Sequence, residues 1–376
     1  MRIAAGLVGL PNVGKSTLFN ALTRSNVPAA NYPFCTIEPH TACTAVPDHR
    51  LEELLTIYQS KKIIPAYVSF VDIAGLVEGA ASGAGLGNQF LNNIRDVSLI
   101  VHVIRCFEDA SITHTSTTID PIRDYDIIMT ELMIKDLESL TKRQLKLANL
   151  IKGAQSKPSV LQELKKEETL INQLIQSLDT KKLEEAQALI EPLAITESPR
   201  NMLLSTKPFL IIANISENEI AQNRFEENQH YQALINRFGT HQVIPISAKL
   251  EGDISVLPDD QKTEFMAMVG LEQPALEKVI TETYKELGLI TFFTCGPQEI
   301  HAWPLLKGST APQAGGEIHS DLQDGFICAD IFNYHDLITT RSIAQLSKEG
   351  KIRTEGSAYQ IQDGDIILIK FNPKRS

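Results

Sequence analysis

At 376 residues, with 43% hydrophobic and 22% charged residues, the chain is long enough for two or three domains around a sizeable core. A formal net charge of −11 disfavours sequence-blind binding of polyanions by the whole surface. No apolar run approaches the roughly 20 residues of a membrane helix, and the N-terminus lacks a signal-peptide pattern. Five scattered cysteines without a C-x-x-C pair argue against disulfides and structural zinc, so a reducing cytoplasm is the expected setting.

The first elements are a strand, "RIAAGLVGL", and a helix, "KSTLFNALTR". Between them runs "GLPNVGKST", residues 9–17, which fits the phosphate-binding loop G-x-x-x-x-G-K-[ST]. Glycines let backbone N–H groups of Asn12, Val13, Gly14 and Thr17 close around phosphate; Lys15 adds positive charge toward the β- and γ-phosphates. The Ser16 hydroxyl is placed to ligate Mg²⁺. A chance match is the alternative, but the strand before and helix after supply the context that the motif requires.

Next comes "YPFCTIEP", whose Thr36 is a candidate to close over Mg²⁺ beside a γ-phosphate, or else a plain solvated turn residue. The buried strand "AYVSFVDIAG" ends in Asp72, a candidate to hold a water on Mg²⁺, and Gly75, whose N–H is a candidate γ-phosphate donor. Leu76 occupies the place where many GTPases carry a water-orienting Gln. It neither donates nor accepts a hydrogen bond, so another group must place water. His102 lies within the strand "VSLIVHVIR" and reads as structural.

From about residue 130 to 203 glycine nearly vanishes. Met133, Leu140 and Leu147 fall seven apart, with Leu137 and Ile151 beside them; Leu164, Ile171 and Leu178 repeat the spacing. This predicts an antiparallel coiled-coil hairpin, against the plainer alternative of amphipathic helices lying on the main domain. Lys142, Arg143, Lys146, Lys152 and Lys157 fall toward its tip without an intervening acidic residue.

The alternating pattern resumes with "PFLIIANISE" and "QVIPISA", which points to an α/β fold with a mainly parallel sheet covered on both faces. Guanine is read by Asn-Lys-x-Asp, but this chain has Asn214, Ile215, Ser216 and Glu217. Glu217 is a methylene too long, and Ile215 offers an apolar cover for the ring without an ammonium. Asn214 retains the capacity to bind N7 and a 6-amino group, so adenine is favoured. Ser247, Ala248 and Lys249 supply a further base-side loop. Beyond Ile290, "ITFFTCG", "EIHAW", "GFICADIF", "AYQIQ" and "DIILIKF" predict a small β-rich module with little helix.

Together "GLPNVGKST", "YPFCTIEP", "DIAGLVEGAASGAGLGNQFL", "NISE" and "GFICADI" resemble the Obg-like ATPase family, called YchF in bacteria, over essentially the whole chain. The resemblance implies a G domain in two parts, residues 1–129 and 204–288, interrupted by the helical insertion 130–203. It also implies a C-terminal TGS domain, 289–376, of β-grasp fold. It implies ATP and Mg²⁺ as ligands, ribosomes or ribosomal RNA as partner, and a switch role in translation or stress regulation. Neither membrane nor DNA is expected as a partner. His114, in "EDASITH", becomes the candidate to orient water in place of Leu76, or is simply a surface histidine. Asn12 becomes a candidate to hold K⁺ against the phosphates, as in related potassium-dependent GTPases, or is a turn residue. Two other readings stay open: a GTP-hydrolysing translation factor, and a non-catalytic module gated by ATP.

Overall fold

The computed structural model describes residues 3–24, 40–73, 86–109, 112, 118–193 and 202–372. The elements, in chain order, begin with β1 (Ala5–Val8), α1 (Lys15–Arg24), β2 (Thr41–Ala45), α2 (Arg50–Tyr58), β3 (Ile63–Ile64) and β4 (Tyr67–Asp72). There follow α3 (Leu86–Asp96), β5 (Leu99–Arg105), α4 (Pro121–Gly153), α5 (Pro158–Asp179), α6 (Leu183–Ile190) and β6 (Phe209–Asn214). Then come α7 (Glu217–Ala221), α8 (Gln229–Phe238), β7 (Val243–Ile246), α9 (Ala248–Ser255), α10 (Asp259–Met268) and α11 (Ala275–Glu286). The last stretch holds β8 (Leu289–Cys295), β9 (Ile300–Leu306), α12 (Ala311–Ile318), α13 (Ser320–Asp324) and β10 (Phe326–Asn333). It ends with α14 (Tyr334–Thr340), α15 (Ile343–Lys348), β11 (Arg353–Glu355) and β12 (Asp365–Phe371). Among the described residues no helix is long and apolar enough to cross a membrane.

Two compact units emerge, Met1–Leu18 with Val71–Leu250, and Phe19–Phe70 with Glu251–Ser376. In the first, β1, β5, β6 and β7 lie side by side in that order, all parallel. Every residue of β5 is buried, which explains why its sequence is a continuous apolar run rather than an alternation. Parallel strands in register bring their carboxyl ends to one edge, as in the pairing of Arg105 with Asn214 and of Asn214 with Ile246. The loops that carry function in such sheets leave from that edge.

Helix α4 runs unbroken for 33 residues, about 50 Å. Asp120 caps it by accepting the Arg123 N–H at 3.0 Å, and Pro121 sits where its missing N–H costs nothing. The helix therefore starts nine residues before the change of sequence texture at 130. Its first turns bury Tyr125, Ile128, Met129 and Leu132. Tyr125 packs against His102, Phe209 and Phe238 at ring distances of 4.8, 5.7 and 4.6 Å. His102 is fully buried there, and burial alone drops its pKa to about 3, so it is a neutral core ring.

The seven-residue seam packs as expected: Leu140 and Leu147 of α4 meet Ile171, Leu174 and Leu178 of α5. A third helix, α6, adds Ala186 and Ile190 to the same core. At the root, the Asp136 carboxylate accepts the N–H groups of Leu204 and Ser205 and the Ser205 hydroxyl at 2.7–3.0 Å.

The second unit is built on a mixed sheet of order β11-β10-β12-β8-β9-β3. Strands β10–β11, β10–β12 and β8–β9 are antiparallel, while β12–β8 and β3–β9 are parallel. Phe292, Trp303, Ile331 and Ile367 form its core with Ala311 and Ala314 of α12. The expectation of little helix is corrected, since α12 to α15 all lie in this region. Gly315 and Gly316 in "APQAGGEI" hide α12 from propensity; a Cβ on Gly315 would approach the backbone of Leu322 to 3.2 Å. The segment "AYQIQ" makes only an isolated bridge, Thr310 to Gln360, and the extra strand is β11 instead. Cys43 is disulfide-bonded, against the expectation of reduced thiols, and Cys106, Cys295 and Cys328 are free.

Candidate functional site

The loop after β1 turns through two residues with positive φ, Asn12 at 64° and Gly14 at 94°. A short polar residue tolerates the first value; the second demands glycine. A Cβ on Gly14 would lie 2.2 Å from Asn214 Nδ2, so the space is taken as well. Leu18 N–H closes the first turn of α1 on Gly14 O at 3.0 Å, leaving the earlier amide donors at the helix start free to face a ligand. A cavity of about 430 Å³ opens over this loop, lined from Leu10 to Thr17. Ser16 and Thr17 are exposed to it, whereas Val13 is buried beneath.

Lys15 is 9% exposed, and its ammonium donates to the carboxylate of Asp72 at the end of β4. Ile73 N–H bonds Leu7 O at 3.2 Å, which fixes that strand end beside β1. The fold thus brings Asp72 onto Lys15, the neighbour of Ser16, from 57 residues away along the chain. Hydroxyl and carboxylate oxygens form a hard donor set suited to Mg²⁺. Thr36, Gly75, Leu76 and His114 lie outside the described residues.

At the base side, Asn214 is 4% exposed and its amide is engaged at both ends. Nδ2 donates to Val13 O at 2.8 Å, and Oδ1 accepts the Ala248 N–H at 2.9 Å. One amide hydrogen and one oxygen lone pair remain. Ser247 is buried, and its hydroxyl accepts the Leu250 N–H at 3.4 Å near the start of α9. Ser216 caps α7, accepting the Glu219 N–H at 3.3 Å. Glu217 Oε1 accepts a bond from Lys249 Nζ at 2.8 Å across the site. The expectation for Ile215 is corrected: it is 1% exposed, packed inward with its N–H on Ile246 O at 2.7 Å, and offers no open face to a ring.

One contributor escaped sequence reasoning, and another was read only as a loop residue. Lys249, the last residue of the anticipated Ser247-Ala248-Lys249 loop, supplies the cation on Glu217. Arg105, buried at the end of β5, donates from Nε, Nη2 and Nη1 to the carbonyls of Phe107, Asp109 and Ile112, each at 3.1 Å. Its only sequence signal is an arginine ending an otherwise apolar strand.

A glycine-turned anion loop between β1 and α1, a lysine–aspartate pair beneath it and an asparagine-centred base side define a P-loop nucleotide-binding protein of the G-domain class. Residues 4–163 match the family model described as "50S ribosome-binding GTPase". Residues 289–372 match the YchF C-terminal model, described as "Protein of unknown function (DUF933)". The "Ribosome-binding ATPase YchF" of Bacillus subtilis is 41% identical over 383 residues, covering 99% of this chain and 100% of the relative. The protein of that name from Escherichia coli O157:H7 is 41% identical with the same coverage. The solved structure described as "Structure of the Schizosaccharomyces pombe YchF GTPase" shares 34% identity and a TM-score of 0.83, covering 98% of this chain and 97% of that one. The chain belongs to the YchF family.

Proposed function

We propose that this chain hydrolyses ATP in preference to GTP and acts as a nucleotide-dependent switch on ribosomes. Relatives named as ribosome-binding ATPases, matched end to end at 41% identity, support the reaction, the partner and a cytoplasmic place of work. The observation that carries the base preference is at Glu217. A guanine-reading carboxylate must take the N1–H and the 2-amino group together, whereas Glu217 is longer than Asp and already faces Lys249. Asn214 keeps one donor and one acceptor, the pair that N7 and a 6-amino group require.

In this reading the loop N–H groups from Asn12 to Thr17 hold the phosphates, and Lys15 leaves Asp72 to stabilise charge on the transferring group. Mg²⁺ held by Ser16, Thr36 and a water on Asp72 would neutralise phosphate charge. Gly75 donates to the γ-phosphate, and His114 orients water where Leu76 cannot. K⁺ beside Asn12 is a second candidate source of positive charge; the two ideas are compatible, one acting on charge and the other on water. The functional division follows residues 1–129 with 204–288, 130–203 and 289–376.

Titration of the purified protein with labelled ATP and GTP decides the base. ATP is expected to bind at least several-fold more tightly, and equal affinity would sink the proposal. GTP hydrolysis is the second reading, favoured by the description of the fission-yeast structure as a GTPase. Lys15→Ala should strongly weaken nucleotide binding. His114→Ala should spare affinity and lower turnover, and exchange of K⁺ for Na⁺ should slow hydrolysis only if Asn12 holds the cation.

A further inference from the structure

Between Ser139 and Gln162 the chain carries Lys142, Arg143, Lys146, Lys152 and Lys157 and no carboxylate side chain, although the whole protein is acidic. This stretch forms the last turns of α4, the turn, and the first turn of α5, the far end of the hairpin. The five cations are not equivalent. Arg143 grips Glu167 of α5 with Nε and Nη2 at 2.8 and 2.9 Å, a two-bond clamp between the helices. Lys142, Lys146, Lys152 and Lys157 are exposed and form no ion pair among the described residues. On α4, Lys142 and Lys146 share a face with Leu145 and Leu150, which are 65% and 48% exposed, opposite the buried seam of Leu140 and Leu147.

The chemistry of this face selects its partner. Protein interfaces are anchored by Trp, Tyr and Arg in closed pockets. The tip has neither aromatic, and its one Arg is already committed to Glu167. What it offers is exposed lysine charges on a rod with no carboxylate between Ser139 and Gln162, Glu138 standing one turn before Lys142, which suits a phosphate backbone approached without base reading. Leu145, Leu150 and Val160 give van der Waals surface for sugars between those contacts.

We infer that the hairpin tip is an RNA-docking surface whose four free lysines contact the phosphates of ribosomal RNA; the word ribosomal rests on the function proposed above. Reversing Arg143 would open the interhelical clamp and confound binding with folding, so the test leaves it intact.

The experiment is co-sedimentation of the full-length protein with ribosomes, and separately with protein-free ribosomal RNA, across a salt series. It compares wild type with the triple variants Lys142→Glu/Lys146→Glu/Lys152→Glu and Lys142→Arg/Lys146→Arg/Lys152→Arg. The Glu triple should bind both at least about tenfold more weakly, with a salt slope smaller by about 2–3, while the Arg triple binds like wild type. Melting curves check folding; should the Glu triple melt early, the corresponding Gln triple decides, with the same expected direction. If wild type and the Glu or Gln triple bind ribosomes alike, the tip is only a solvated surface. If wild type holds ribosomes but not free RNA, the partner is a ribosomal protein and the RNA assignment falls. Should wild type not bind ribosomes at all, the ribosome reading fails by itself. Tip-dependent binding of free RNA would then uphold the surface, and its absence would overturn it.

Discussion

The Asn214 amide donates to Val13 O at 2.8 Å across 201 residues of sequence, so one side chain joins the phosphate loop to the strand end on the base side. With Oδ1 on the Ala248 N–H, the same amide ties three loops at the carboxyl edge of the parallel sheet. Asn214→Ala leaves a buried carbonyl and a buried N–H without partners, each worth about 1–3 kcal/mol. Nucleotide affinity should fall at least about tenfold, with a lowered melting temperature. Isothermal titration that found unchanged ATP affinity would reduce the tie to incidental packing.

Gly14→Ala should be more damaging than its single methyl suggests. The new Cβ meets Asn214 Nδ2 at 2.2 Å at a φ of 94°, so loop and tie cannot both keep their places. Loss of nucleotide binding with a folded, cooperative melt is the expected result. Retained affinity would mean that the loop relaxes without losing its ligand.

Arg105 fixes the carbonyls of Phe107, Asp109 and Ile112, and His114 follows two residues after the last of these. Lysine cannot reproduce the planar three-bond fork. Arg105→Lys should therefore lower turnover by about tenfold while leaving ATP affinity within about twofold, and it should add little to His114→Ala in a double-mutant cycle. An effect on affinity alone, or full additivity, would make Arg105 a purely structural residue.

Asp136, buried under the hairpin, has its pKa raised to about 6 by desolvation, partly offset by its bonds from Ser205 and Leu204. The folded value stands above the unfolded one near 4, so the folded state holds the extra proton between them. That contribution is fully present below about pH 4 and is lost as pH rises through about 6. Chemical denaturation should show stability falling by about 2–3 kcal/mol from this group over that window. Asp136→Asn should flatten the slope; a slope that persisted in the variant would assign it to other groups.

The structure shows why some features were legible in the sequence and others were not. The helix "KSTLFNALTR" coincides with Lys15–Arg24, and the seven-residue seam closes as read, because both depend on residues adjacent or regularly spaced along the chain. The phosphate loop is equally local: strand, glycine turn and helix start lie between Ala5 and Ser16. By contrast, the inward packing of Ile215, the Arg143–Glu167 clamp and the Lys249–Glu217 pair were invisible. Each depends on which side chain arrives opposite in the folded register. Lys207 makes the same point, its buried ammonium donating to Ile94 O at 2.8 Å and Arg95 O at 2.9 Å at the end of α3, more than a hundred residues earlier. Composition and periodicity set which elements form and which faces they bury. Only the tertiary structure decides how a polar group inside the fold satisfies its hydrogen bonds, because water no longer competes there and the nearest donor or acceptor must serve.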